Sequence, residues 1–460
     1  MHSLCFSRTL FGLFLHRPLA LVVTITWLGV SVDKIYASEQ SLSAETLTFE
    51  KAVEIALGNA FDVRRADVGL ALAEANQAIL SHELDPRWVL SGSMSELRPR
   101  NTNLLMNNVG NAARTGSAVS LQLTGVIYDF GRHAARMAQA ERQKEMQALT
   151  REDVTLSLRF RVARAYAAWV EAERMLLISE EQIKISESRV SQQEVNYRKG
   201  LRPEHEVVAA QLDLGRAKLV RERSLTEVLR ARQRLADLIN NKNATGSTGS
   251  LRLPKHLLKP QSPHAWDGLV KISSGDLGLT PSDNRRAKEV EALSHEEELI
   301  RRNRRPTLSG SIQAQHIIPW EGKGRDLVSG QIQLSWDIPW NGMDRDEIRR
   351  VSLRRQDLNL ATEEEAQSRR ERELQALLTW QMARAQWQGI QRQVELTKKQ
   401  RDLIQRRYAS GKASALELSS AEADDVSQQL ELIRLQSTLA MAFIDIAEAR
   451  GIQDLGGVFR

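Results

Sequence analysis

At 460 residues the chain is longer than a single hydrophobic core usually serves, so a long shape or several domains is expected. Its 64 basic and 58 acidic residues nearly cancel, to a formal charge of +6. The two signs interleave along helix-like stretches, which is the pattern of a solvated, ion-paired surface and argues against a nucleic-acid partner.

Arg8 and Arg17 precede and flank an apolar run from Leu19 to Val30, and Ile35, Tyr36 and Ala37 lead into Ser38. This is the layout of a secretory signal peptide over residues 1–37, cleaved after Ala37. A retained membrane anchor is the alternative; the run is short for a span and no second one follows. The only cysteine, Cys5, lies inside this segment, so the mature chain is expected to hold no disulfide, thiolate metal site or lipid-modified N-terminal cysteine.

Residues 46 to 82 read as a helical segment leading to Pro86. Beyond it the apolar residues fall with period two: Trp88 to Met94, then Val119, Leu121, Leu123, Gly125 and Ile127 against Ser120, Gln122 and Thr124. Two strands are expected here, joined by a loop near 99–115. Residues 132 to 199 contain neither glycine nor proline. Leu149, Leu156, Phe160, Ala163, Ala167, Val170 and Leu177 form a heptad-like seam within them, predicting one helix on the order of 100 Å long at about 1.5 Å per residue. Gly200 suits a helix C-terminal cap and Pro203 the first turn of a return helix over 203–239.

Residues 240–281 hold Asn-rich and Gly-Ser-Thr runs and four prolines, which is linker chemistry. The pattern then recurs: a helical segment over 282–304, strand signals at Leu308, Gly310, Ile312 and Ala314 and again at Val328, Gly330, Ile332, Leu334 and Trp336, a loop at 319–325, and a second long helix. Its return helix over 413–450 carries Val426, Leu430, Ile433, Ser437, Ala440, Ile444 and Ala447 at regular spacing. Gly131 and Gly342, Trp169 and Trp380, Tyr197 and Tyr408, and Gly200 and Gly411 all stand 211 residues apart. A constant offset requires the two helical hairpins to be of equal length. The expected domains are therefore 1–37 signal peptide, 38–239 first repeat, 240–281 linker and 282–460 second repeat.

The strands' polar faces are Ser, Thr and Gln with little charge, and each strand lasts roughly the 9–11 residues of a tilted transmembrane strand. Four strands cannot close a barrel and an open edge does not survive in lipid, so several copies must pool strands; three copies make twelve. No catalytic chemistry is expected. The nine histidines are dispersed without metal-ligand spacing, and Glu363 to Glu365, Asp424 and Asp425 lie among arginines where ion pairing is the ordinary use. No phosphate-cradling loop or nucleophile elbow appears, and no cofactor is expected. Trp169, Trp380 and Trp387 read as packing residues, Trp320, Trp336 and Trp340 as an interfacial aromatic belt.

The opening from Leu47 to Leu57, Pro86 at a strand entrance, and the twin turns from Tyr197 to Gly200 and Tyr408 to Gly411 resemble the TolC-like outer-membrane efflux proteins. The resemblance covers nearly all of the mature chain through the order of short motifs. It implies a mainly α fold with a small transmembrane β part: a homotrimer in outer-membrane lipid, whose twelve-stranded barrel continues as a helical tunnel through the periplasm. It also implies a periplasmic adaptor (membrane fusion) protein and an inner-membrane pump or ABC transporter as partners, in efflux or type I secretion. The entrance residues it points to are Tyr408, Glu417 and Ser420. An acid is expected at the last position, so one of two acidic rings is missing. Lys199, Gly200, Leu201, Ser410, Gly411 and Lys412 are the expected adaptor-docking tips. The rival expectation is a periplasmic coiled-coil scaffold or adaptor without a pore, which needs neither the strands nor the duplication.

Overall fold

In a computed structural model of the protein, the residues described are 46–95, 116–239, 252–258, 278–319, 323–336, 342–452, 455 and 459. The expected signal peptide, the loop near 99–115, most of the linker, Trp320 and Trp340 lie outside them. The described residues all fall within one unit by their contacts.

The elements run α1 (Phe49–Asn59), α2 (Phe61–Ser81), β1 (Arg87–Ser95), β2 (Gly116–Tyr128), α3 (Arg132–Arg198) and α4 (Glu204–Ile239). After a short 3-10 turn follow α5 (Pro281–Asn303), β3 (Thr307–Pro319), β4 (Arg325–Ser335), α6 (Met343–Ala409) and α7 (Ala415–Arg450). The segment expected as one helix over 46–82 is two. Ala60, extended at φ −61°, ψ 134°, caps both, and its methyl is buried in the core between them.

The long helices α3 and α6 are each 67 residues and the return helices α4 and α7 each 36, so the 211-residue offset survives from Arg132 to Arg450. Each long helix starts at a left-handed glycine, Gly131 or Gly342, and each hairpin turns at another, Gly200 (φ 69°) or Gly411 (φ 76°). Equal spacing of glycines is thus equal spacing of the backbone positions that only glycine adopts without strain.

The seam of α3 is buried from Leu156 to Val170, half-buried at Leu149 and open at Leu177. Its middle belongs to an equatorial core with Phe49, Tyr166, Trp169, Trp380, Trp387, Leu439 and Phe443. Trp169 meets Tyr166 edge-on, centroids 5.9 Å apart, and donates its indole N–H to Glu173 at 3.0 Å. The tryptophans at 169, 380 and 387 are all core packing.

The four strands form one antiparallel sheet in the order β1-β2-β3-β4, so the join between the halves is β2 against β3. The register sorts the side chains into two faces. Leu90 pairs with Leu121, Leu121 with Ala314 and Ala314 with Val328, while Ser91 pairs with Ser120, Ser120 with Gln315, and Gln313 with Ser329. Trp88, Leu90, Ile312, Val328, Ile332 and Leu334 are exposed on the apolar face. No helix among the described residues is long and apolar enough to cross a membrane.

Candidate functional site at the hairpin tips

The two hairpins meet at their tips through polar side chains. The first turn closes with Gly200 N–H on Tyr197 O (2.8 Å) and Leu201 N–H on Asn196 O (2.9 Å). The second repeats it with Gly411 N–H on Tyr408 O (3.0 Å) and Lys412 N–H on Arg407 O (2.8 Å). These paired bonds satisfy the last carbonyls of α3 and α6 and need a left-handed residue at the glycine. Ser414 caps α7, its hydroxyl accepting the Glu417 N–H at 3.2 Å.

Tyr408, near the end of α6, reaches across to the first hairpin. Gln193 of α3 donates its amide to the phenol oxygen, and the phenol donates to Glu206 of α4 at 3.3 Å. The Arg202 guanidinium lies over the ring, 4.9 Å from its centroid, and holds Glu206 at 3.2 Å. Burial, helped by the Glu206 carboxylate and opposed by Gln193 and Arg202, keeps the phenol above its ordinary pKa, so it stays a donor.

Glu417 and Ser420 stand exposed on α7, and Glu417 has no ion-pair partner among the described residues. The tips themselves carry Lys199, Gly200, Leu201, Ser410, Gly411 and Lys412, all exposed. Leu201 is 68% and Leu416 80% exposed, two apolar side chains presented to solvent where a helix end has no core to cover them. Leu416 was not singled out from the sequence, because one leucine in the first turn of an amphipathic helix carries no signal. Gln193, Arg202 and Glu206 were missed as well. They lie some two hundred residues from Tyr408, and only the docking of the two hairpins shows what they do.

The family described as outer membrane efflux protein matches residues 52–241 and 289–451, one segment for each half. No curated protein matches the sequence. In fold, the chain is similar to the Campylobacter jejuni CmeC outer membrane channel, with 16% identity, 90% of this chain and 86% of that one covered, and a TM-score of 0.68. The Vibrio cholerae outer membrane protein VceC aligns at 15% identity over 88% and 96% of the two chains, TM-score 0.69. The open state of the Neisseria gonorrhoeae MtrE outer membrane channel aligns at 18% over 90% and 93%, TM-score 0.66.

Proposed function

The chain belongs to the outer membrane efflux protein family, and on that footing we propose that it is the channel-tunnel of a tripartite efflux or type I secretion system, working as a trimer. The observation that carries this is the sheet. One face is mainly apolar, the other mainly Ser, Thr and Gln, and β1 and β4 each have an edge with no partner strand among the described residues. In lipid those edge groups must be paired, which a neighbouring copy's β4 and β1 accomplish; three copies close a barrel of twelve strands with the apolar face outward. A scaffold in water has no use for such a face.

The helices favour the same assembly. Within the chain α3 packs against α2, α4, α5 and α7, and α6 packs against α5 and α7. Three of these helices carry apolar rows open to solvent: Val68, Leu72 and Ile79 on α2, Leu212 and Leu219 on α4, and Leu353, Leu360, Leu396 and Leu403 on α6. Heptad spacing recurs in each, the spacing by which a neighbouring helix packs.

At the periplasmic end Glu417 lines the closed entrance. Three of these carboxylates around the axis repel one another and attract cations, and Ser420 adds no second charged ring. Tyr408 latches the second hairpin to the first. An adaptor binds the tips around Leu201 and Gly411 and favours the splayed arrangement, shifting the equilibrium toward the open entrance. Cargo comes from the inner-membrane pump. Single-channel recording of Glu417→Ala tests the entrance: higher conductance and weaker block by divalent cations are expected, and unchanged values for both would refute the lining role.

A further inference from the structure

The polar face of the sheet carries charge of one sign. Of the lysines, arginines, aspartates and glutamates, the four strands hold only Arg87, Arg325 and Asp326. The register decides which face each of them takes. Arg87 pairs with Thr124, Thr124 with Ser311 and Ser311 with Gln331, which puts Arg87 on the polar face. Arg325 pairs with Ile317, Ile317 with Ala118 and Ala118 with Ser93, a row whose β2 and β4 members alternate with Thr124 and Gln331 on that same face. Asp326, the next residue along β4, takes the opposite face with Val328 and Ile332, where His316 Nδ1 meets its carboxylate at 2.5 Å. Both guanidinium groups therefore share the polar face, and the strand carboxylate is turned away from it.

Arg87 and Arg325 are exposed, and neither has an ion-pair partner among the described residues. They stand toward opposite ends of the sheet, the Arg87 row crossing β4 at Gln331, about 20 Å along the strand from Arg325. Between those rows lie Gln122, Gln313, Ser329, Ser120 and Gln315, neutral groups that both donate and accept and so favour neither sign. The sequences joining the strands lean the same way: residues 96–115 hold Arg98, Arg100 and Arg114 against Glu96. A barrel with the polar face inward gathers the guanidinium groups of every copy around one lumen, and arginine keeps its charge at any working pH. Walls of low dielectric focus that field on whatever passes.

Resting on the channel reading above, we propose that the barrel lumen prefers anions, with Arg87 and Arg325 as its specificity-determining residues, and so suits cargo bearing carboxylate or phosphate groups. The Glu417 entrance has the opposite sign, and substitution separates the two filters. The test measures reversal potentials in a potassium chloride gradient across planar bilayers, using the purified full chain with Glu417→Ala as the background. Chloride is expected to be favoured over potassium about threefold near 0.1 M salt, and the preference to fade as the Debye length shrinks at 1 M. Arg87→Gln and Arg325→Gln should each reduce it and the double variant abolish it, while Arg87→Lys with Arg325→Lys keeps it. A potassium preference in the background, or a chloride preference that survives the double glutamine variant, would overturn the proposal and leave the channel reading standing. Failure of the unaltered protein to conduct would instead overturn the channel reading. Should the double variant not assemble, Arg325→Gln alone decides by the same readout.

Discussion

Asp283 shows how much a single carboxylate organises. It occupies the third position of α5, accepts the Thr280 backbone N–H at 2.9 Å, and returns its own N–H to the Thr280 hydroxyl at 3.3 Å, while Arg369 of α6 pairs with it. Burial alone would raise its pKa, but the Thr280 bonds and Arg369 outweigh that and hold it below the usual carboxylate range. Its stabilisation is therefore full above the unfolded pKa and lost as pH falls through the folded one. Asp283→Asn should cost about 1–2 kcal/mol at neutral pH and flatten the acid limb of a thermal-unfolding profile in detergent. Asp153 has the opposite sign. Burial raises its pKa over the pull of Arg285 and Arg286, so its contribution is greatest at low pH and lost as pH rises through the folded value. Asp153→Asn should raise the neutral-pH melting temperature. Neither role was legible in the sequence, where both aspartates sit among other charges and only the packing of α5 sets them apart. Glu417 and Tyr408 were singled out only through the family resemblance, by their distance from a turn glycine. The partners of Tyr408 were not, since nothing local marks Gln193 or Glu206 among their polar neighbours.

Elements were read more securely than contacts, because periodicity is a property of one segment while pairing belongs to two. The α3 seam is buried where its spacing is tightest, from Leu156 to Val170, and loosens at Leu177, where the helix leaves the equatorial core. The break at Ala60 escaped notice although Gly58 and Asn59 stand just before it, because the apolar periodicity resumes at once on the far side. The alternation of the strands announced two faces, yet gave no register between β2 and β3, whose partners are nearly two hundred residues apart. The hairpin turns can be tested directly. At Gly411 an added Cβ would meet nothing within 4 Å, so Gly411→Ala isolates the backbone cost of a left-handed residue. A loss of about 1–2 kcal/mol is expected in thermal unfolding. In the core, Trp169→Ala should cost about 3–5 kcal/mol, because the fully buried indole has no water to replace its contacts.

For the whole molecule, the outer-membrane localisation follows from the family. The proposed assembly of several copies rests on the two open strand edges, the apolar sheet face and the rows of leucine on α2, α4 and α6, which the described residues leave uncovered. A lysine at Ile332, exposed on the apolar face of β4, should impair insertion by about 2–4 kcal/mol if it lies near the bilayer midplane, read as loss of protein from the outer-membrane fraction. The most direct measurement is current through a planar bilayer exposed to the purified mature protein in detergent. Discrete conductance steps are predicted, each from one three-copy particle. A water-soluble monomer that leaves the bilayer insulating would contradict the account.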